Sequence, residues 1–211
     1  MSQKIQAASL SEAANFLTKE ILKKTEQTPK SVLIAAIDGR AASGKSTLAQ
    51  SLLENLRRQG KKSVLIHLDD FFLRPQQRSE TRLQTPGANV DYERLLEEVM
   101  LPAENGQDIV YRPFSCQSMA LKDPIDAGKP EILLLEGSYS LNDHLRNHAD
   151  LACFFTCEPD VQQARILKRS NPEKLQAFTS RWIPLEEAYI FVQHPQDFAD
   201  YVFETGRWPA L

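Results

Sequence analysis

The sequence has few cysteines, no long apolar run and no strong excess of one charge. Its 211 residues include three cysteines that are not clustered with histidine, so we predict neither a disulfide framework nor a zinc site. No apolar stretch approaches the ~20 residues of a transmembrane helix. The opening MSQKIQAASL lacks the apolar core of a secretory signal. We therefore expect a cytoplasmic protein.

The charge and composition are those of an ordinary globular chain. A net charge of −3 favours neither nucleic acid nor a membrane surface as a partner. The length suits one domain over residues 1–211. Within it we expect an accessory helix in residues 1–28, a flap over an acceptor site in residues 103–130 and a lid in residues 165–182. A homo-oligomer is compatible with the sequence.

A phosphate-binding motif, GRAASGKS, begins at Gly39. It fits the spacing G-x-x-x-x-G-K-[ST], in which glycines let the backbone aim its amide N–H groups at an anion and the following helix adds its dipole. An apolar run at residues 32–37 predicts the strand before the motif, and a leucine at every fourth position predicts the helix after it. We expect Lys45 to bridge the outer phosphates and Ser46 to hold Mg²⁺. The predicted nucleotide contacts are Gly39, Ala42, Ser43, Gly44, Lys45, Ser46 and Thr47.

Four more short apolar runs alternate with helical patterns along the chain. These predicted strands lie at residues 63–68, 132–135, 151–156 and 200–203. Predicted helices include residues 9–26, a helix capped by Asp91 and stopped by Pro102, residues 140–147, and a helix with Leu185, Ala188, Tyr189 and Val192 on one face. Residues 73–90 are predicted to be a long loop. The alternation predicts an α/β fold, a three-layer P-loop sandwich with a five-stranded parallel sheet and a short lid.

Acidic residues directly follow two predicted strands, at the sheet edge where open parallel sheets bind ligands. Glu136 suits a carboxylate that orients Mg²⁺. Transfer to a hydroxyl benefits from a base that takes the proton, whereas transfer to a phosphate does not. Asp69 or Asp70 could supply it, and we choose Asp69. Arg165 and Arg169 share a helix face and are predicted to close a cationic lid. The predicted catalytic residues are Asp69, Lys45, Arg165 and Arg169.

With these motifs the chain resembles the uridine kinase and phosphoribulokinase-like branch of P-loop kinases. The resemblance rests on IDGRAASGKSTLA, LDDFF, PGANVDYERLL, ILLLEGSYSL and ARILKR, which together span nearly the whole chain. It implies ATP and Mg²⁺ as cofactors and Asp69 as the catalytic base. It also implies Glu136 as the carboxylate on the metal side, with Arg165 and Arg169 as lid arginines that contact phosphate.

The acceptor half departs from the uridine kinase pattern. Residues 86–89 read PGAN where that family has His-Pro-Asp, and Cys116 stands where it has a histidine that grips the pyrimidine. Tyr111 matches the family's tyrosine. The DDFF tetrapeptide and Trp182 resemble nicotinamide riboside kinases, and pantothenate kinase is another relative that phosphorylates a hydroxyl. The predicted acceptor contacts are Asp69, Phe72, Arg74 and Tyr111.

The sequence thus predicts an ATP-dependent phosphotransferase that acts on a hydroxyl of a small metabolite, with a uridine-like nucleoside as the first choice. Nicotinamide riboside or pantothenate kinase-like activity and a non-enzymatic nucleotide-binding regulator stay as alternatives. A regulatory GTPase is disfavoured because the chain has no Asn-Lys-x-Asp motif. A nucleoside monophosphate kinase is disfavoured because Asp69 and Asp70 would repel an anionic acceptor.

Overall fold

The computed structural model describes residues 2–27 and 30–208 of the chain. Its strands are β1 (Gln3–Ile5), β2 (Leu33–Gly39), β3 (Ser63–His67), β4 (Ile109–Tyr111), β5 (Phe114–Ser115), β6 (Ala120–Leu121), β7 (Ile125–Gly128), β8 (Ile132–Glu136), β9 (Leu151–Thr156) and β10 (Tyr201–Glu204). Its α-helices are α1 (Leu10–Gln27), α2 (Lys45–Arg58), α3 (Glu80–Gln84), α4 (Tyr92–Leu95), α5 (Leu101–Glu104), α6 (Pro159–Arg169), α7 (Pro172–Ala177), α8 (Ile183–Gln193) and α9 (Pro195–Phe198). Of the region 1–28 that was expected to hold an accessory helix, Met1 and Thr28 lie outside the described residues.

Six strands form one parallel sheet in the order β1-β10-β9-β2-β8-β3. The predicted parallel α/β architecture is confirmed, and each of the five predicted strands is present. The short edge strand β1 adds a sixth, which no sequence pattern predicts. Two small antiparallel pairs, β4–β7 and β5–β6, occupy the region that follows α5. Among the described helices, none combines the length and the apolar character needed to cross a bilayer.

The central strand β2 is buried on both faces, because helices cover the sheet from both sides. Its residues Leu33, Ala35 and Ile37 pack with the apolar sides of α1 and α2. The alternate residues Ile34 and Ala36 belong to a second core that includes buried residues of α4 and α8. This period-2 alternation between two cores is what fixes the register of a strand buried on both faces.

Two helical runs continue past a proline, and at the first of these prolines, Pro102, the sequence pattern predicts an end. A π-helical segment, Leu96–Met100, joins α4 to α5, so the run ends at Glu104 and the prediction that Pro102 stops it is wrong. A second π-helical segment, Phe178–Trp182, joins α7 to α8. In each run a proline lies two residues beyond the π segment. The wider turn accommodates a residue that has no N–H to donate.

Residues 140–147 were predicted as a helix, and the structure corrects this: they form turns that lead into the 3₁₀ turn Arg146–His148. The amides of Tyr139 and Leu141 donate to the Asp38 carboxylate at 3.0 and 2.8 Å. A side chain that captures backbone donors in this way competes with helix formation. The predicted loop at residues 73–90 likewise contains the short helix α3.

Candidate active site

The phosphate loop joins the end of β2 to the start of α2. Gly39 has φ 138°, and a Cβ there would lie 2.0 Å from the Phe155 carbonyl oxygen, so glycine is required. The backbone turns again at Gly44, with φ 96°, and α2 begins at Lys45. The first-turn amides of α2 have no acceptor within the helix, and Ser43 buries an Oγ that has no partner. These free donors at a positive helix end fit a chain of phosphates.

Lys45 is held inside the loop by oxygen atoms. Its Nζ donates to the carbonyl oxygens of Gly39 and Arg40, each at 2.8 Å, and lies 3.4 Å from the Ser138 Oγ. The side chain is buried, with 7% of its residue surface exposed. The ammonium group is therefore positioned beside the loop amides, where a phosphate oxygen could replace its carbonyl partners.

Glu136 connects the loop to the neighbouring strand. Its Oε1 accepts from the Ser46 Oγ at 3.0 Å, and its Oε2 lies 2.7 Å from the His67 Nδ1. Burial acts to raise the pKa of Glu136, but the hydrogen bond with His67 and the charge of Lys45 together hold that pKa below its ordinary value. The same hydrogen bond raises the pKa of His67. Glu136 is thus ionised and anchored at the sheet edge.

The donor atoms at this edge suit Mg²⁺. One hydroxyl and one carboxylate, Ser46 and Glu136, can bind a small hard cation whose remaining ligands are phosphate oxygens and waters. Over residues 2–27 and 30–208, no group of three or more His, Cys, Asp or Glu side chains forms a cage for a metal ion. The pair Ser46 and Glu136 therefore fits the predicted Mg²⁺ contacts, and metal binding by these two residues stays a prediction.

Asp69 lies in the 3₁₀ turn Leu68–Phe71, directly after β3. It lines the same cavity as Lys45 and Glu136. The Asp69 side chain is exposed to this open cavity, and desolvation by the surrounding protein, followed by the neighbouring Glu136 carboxylate, raises its pKa, while the charge of Lys45 opposes that shift. A carboxylate with a raised pKa in reach of a substrate is suited to accept a proton. Its roles in catalysis and acceptor binding stay predictions.

Asp70 lies on the other side of the turn. The Arg94 guanidinium donates to the Asp70 main-chain oxygen at 3.0 Å, and burial followed by the charge of the nearby Asp70 carboxylate raises the pKa of Tyr111 to about 12. Burial raises the pKa of Asp70. These contacts direct Asp70 into the packing beneath the flap, whereas Asp69 faces the cavity.

A cavity of about 1200 Å³ extends from the phosphate loop to the lid. Its walls carry five positively charged side chains, those of Lys45, Arg165, Lys168, Arg169 and Lys174. The Arg165 guanidinium donates to the Thr205 carbonyl oxygen at 2.6 Å and to the Thr205 Oγ1 at 3.0 Å. Arg169 lies over the Phe178 ring, 5.5 Å from its centre. Both predicted lid arginines therefore reach the cavity, and their contact with phosphate stays a prediction.

Aromatic and polar side chains line the other end of the cavity. The rings of Phe72 and Trp182 have their centres 6.5 Å apart. Asn89 lines the wall with a buried Nδ2 that has no partner, and Cys116 is exposed nearby. The Asn89 NH₂ group carries two N–H donors, and together with the two rings it offers hydrogen bonds and an apolar surface to a ligand.

Two predicted acceptor contacts lie elsewhere. Tyr111 is buried and stacks on Phe71 with ring centres 5.6 Å apart. The Arg74 Nε lies 3.6 Å from the Asp91 Oδ2, and neither Arg74 nor Tyr111 is among the residues that line the cavity. The structure thus brings Asp69 and Phe72 together at the acceptor end without these two.

Sequence reasoning missed much of the cavity wall, including the polar residues Asn89, Ser138 and Glu186. Ser138 follows Glu136 and Gly137 at the same strand end, so its position could have been noticed. The position of Glu186 could not have been noticed, because the apolar pattern of α8 predicts that Val192 faces inward and Glu186 outward. In the structure Val192 is 56% exposed and Glu186 is buried. Of the predicted apolar face, Tyr189 is buried and Leu185 and Ala188 are half-buried, so the prediction is wrong at Val192.

A phosphate loop on a central parallel strand, with carboxylates at the ends of the neighbouring strands, is the architecture of a P-loop kinase that acts on small molecules. The model of the Phosphoribulokinase / Uridine kinase family matches residues 34–207, and the chain belongs to this family. The expectations of a kinase fold and of a small-molecule kinase are thereby confirmed.

Individual relatives agree with that assignment. The chain is 25% identical to the uridine kinase of Escherichia coli K12 over 196 residues, which cover 86% of this chain and 91% of the relative. It is 28% identical to the uridine kinase of Mannheimia succiniciproducens over 196 residues, with 86% and 90% covered.

Solved structures share the fold at lower identity. A protein described as a possible uridine kinase from Bacillus stearothermophilus has a TM-score of 0.71 at 22% identity, and 92% of this chain and 98% of that one are covered. D-glycerate 3-kinase from Cryptococcus neoformans has a TM-score of 0.63 at 16% identity, with 86% and 88% covered. Relatives that differ this much in acceptor leave the acceptor to be argued from the cavity itself.

Proposed function

We propose that the protein transfers the terminal phosphoryl group of ATP to a hydroxyl group of a small metabolite that carries no negative charge, with a nucleoside as the first choice. The observation that carries the proposal is the position of Asp69, which faces the same cavity as Lys45 and Glu136. The acceptor oxygen forms a bond to the terminal phosphorus, the bond to the ADP oxygen breaks, and Asp69 takes the hydroxyl proton.

The donor side of this reaction is assigned to the phosphate loop and its neighbours. Lys45 and the first-turn amides of α2 bind the outer phosphates, and Ser46 with Glu136 binds Mg²⁺. Mg²⁺ held by these two residues would neutralise charge on the transferred group. Arg165 and Arg169 add positive charge from α6 and, with the lid, exclude water.

An acceptor without negative charge is favoured by the distribution of charge on the cavity wall. The lining residues between positions 68 and 139, all of which are described, include the acidic Asp69 and Glu136 and no lysine or arginine, whereas the cations of the wall come from the phosphate loop and from residues 165–174. A carboxylate or phosphate on the acceptor would be repelled there without a compensating cation. This disfavours D-glycerate and pantothenate as acceptors, although relatives of this fold include a D-glycerate kinase.

Nicotinamide riboside is the second candidate, because its ring is a cation. Phe72 and Trp182 present two aromatic rings whose centres are 6.5 Å apart, and a flat cationic ring gains from contact with such faces. The nearby Asp69 carboxylate favours the same charge. Uridine would use the rings for stacking and the free Asn89 amide for a hydrogen bond.

The experiment is a panel of acceptors with ATP and Mg²⁺. Uridine, cytidine, nicotinamide riboside, pantothenate and D-glycerate are each tested for acceptor-dependent formation of ADP and of the phosphorylated product, beside a Lys45→Ala control. We expect product with one of the first three and none with the last two. Product with D-glycerate or pantothenate alone would contradict the acceptor class. Tight ATP binding with no product from any acceptor would support the non-enzymatic regulator.

A further inference from the structure

Glu186 of α8 places a buried carboxylate on the phosphate loop. Its Oε2 accepts from the Ala41 amide at 2.6 Å and lies 3.2 Å from the Ser138 Oγ, while its Oε1 accepts from the Gln162 Nε2 at 2.9 Å. Only 3% of Glu186 is exposed, and that part faces the cavity. A carboxylate beside a loop built to bind phosphate is electrostatically unfavourable for the ligand, so its burial at this position requires an explanation.

Three successive contacts attach α8 to the same loop. Next to Glu186, Glu187 forms an ion pair with Arg40 of the loop. One turn further on, the Tyr189 hydroxyl donates to the Asp38 carboxylate at 2.6 Å, and Asp38 is the residue that precedes Gly39. These contacts hold α8 against the phosphate loop and the end of the strand before it.

The same helix continues into the lid. The segments α7, Phe178–Trp182 and α8 form one uninterrupted helical run, whose first half carries Lys174 and Trp182 into the cavity. A rigid helical run transmits a displacement at one end to the other. Glu186 lies at the point where this run meets the loop.

Resting on the proposed function, we propose that Glu186 is a positioning residue that couples the lid helix to the phosphate loop and sets the place of Lys45 and Ser138 for transfer of the terminal phosphoryl group. The Ser138 hydroxyl has one hydrogen, which it donates either to the Gly39 carbonyl oxygen at 2.9 Å or to Glu186 at 3.2 Å. In the first case Glu186 holds the loop through Ala41 alone, and in the second it also turns the Ser138 oxygen lone pairs towards Lys45.

The charge of Glu186 gives this role a distinctive signature. A glutamine has one acceptor oxygen and brings an amide donor, so in Glu186→Gln at least one of the three donors around the carboxylate loses its partner. The loop is then held less well, and the chemical step slows. The negative charge that opposes the terminal phosphate is also removed, so binding of a triphosphate improves relative to a diphosphate.

The test compares Glu186→Gln with the parent and with Glu54→Gln, a change on the exposed side of α2 where Glu54 pairs with Arg58. Isothermal titration measures stoichiometry and affinity for ADP and for an ATP analogue with an imido bridge between the outer phosphates. We expect a stoichiometry near the parent's, an affinity ratio of analogue to ADP raised about threefold, and kcat lowered about tenfold. Glu54→Gln should match the parent in each measurement.

An unchanged kcat together with an unchanged affinity ratio would overturn the proposal. So would an equal loss of affinity for ADP and analogue, or a fall in stoichiometry, because both indicate general damage to the loop. The titrations need no acceptor. If every acceptor of the panel fails while the affinity ratio still rises, the proposed reaction fails and the coupling of Glu186 to the terminal phosphate stands.

Discussion

The change Tyr189→Phe tests the buried carboxylate beneath the phosphate loop. Tyr189 donates to Asp38 at 2.6 Å, and Asp38 also accepts from the amides of Gly39, Tyr139 and Leu141 at 2.6, 3.0 and 2.8 Å. Phenylalanine keeps the ring and removes one of four donors. A hydrogen bond to a charged group contributes about 1.5–3 kcal/mol. We expect the free energy of unfolding at pH 7.5 to fall by about 2 kcal/mol and Tm by ~4–8 °C.

The pH dependence of this loss makes the test sharper. Burial raises the pKa of Asp38 from its ordinary 3.8 to about 6, and the hydrogen bond from Tyr189 opposes that shift. Because the folded-state pKa is above the unfolded one, the folded protein takes up the proton first as pH falls through 6. Asp38 is therefore a carboxylate above pH 6 and a neutral carboxyl group below it. The Tyr189 hydrogen bond has its full strength only to the carboxylate, that is, above pH 6.

The assay is denaturant unfolding of parent and variant at pH 7.5 and pH 5, with Tyr201→Phe as the control. Tyr201 donates to Glu20 at 2.8 Å in a half-buried setting, and the loss of such a contact should cost less than about 1 kcal/mol. We expect the difference between parent and Tyr189→Phe to be larger at pH 7.5 than at pH 5. Equal losses for both variants, or a loss that does not change with pH, would refute the reasoning.

Two further changes probe the loop and the acceptor end. Gly39→Ala would place a Cβ 2.0 Å from the Phe155 carbonyl oxygen. In denaturant titration we expect this change to lower the free energy of unfolding by more than ~4 kcal/mol. The control is Gly60→Ala, where a Cβ would have nothing within 4 Å, and we expect it to lower the free energy of unfolding by only about 1 kcal/mol. Trp182→Ala removes the ring opposite Phe72, and steady-state kinetics should show the acceptor KM raised about tenfold with the ATP KM nearly unchanged. A similar rise in both KM values would contradict the acceptor role of Trp182.

The sheet and the donor side of the site are the parts that sequence patterns predict well. The motif from Gly39 to Ser46 is local: its glycines, lysine and hydroxyl are fixed by the spacing of one turn. The same is true of carboxylates such as Asp69 and Glu136, because the end of an apolar run marks the end of a buried strand. Parallel topology then brings these strand ends to one edge, so short-range patterns suffice.

The remaining features depend on partners that are distant in the sequence. Asp38 captures backbone amides about 100 positions away and thereby replaces the helix predicted at residues 140–147. Glu186 is buried because Ala41 and Gln162 donate to it, whereas its own neighbourhood reads as a surface helix. Pro102 fails to end its helix because a π turn precedes it, a feature with no local sequence signal.

Asp69→Asn tests the central claim most directly, with Asp70→Asn as the matched control. Using whichever acceptor the panel identifies, we expect kcat of Asp69→Asn to fall by roughly 10²–10⁴-fold, while ADP affinity stays within about threefold of the parent. Since desolvation raises the pKa of Asp69, the parent's kcat/KM should rise with pH as that carboxylate ionises, and this limb should be absent in the variant. Asp70→Asn should retain the parent's kcat and the rise of kcat/KM with pH. Equal turnover by the parent and Asp69→Asn would contradict the account.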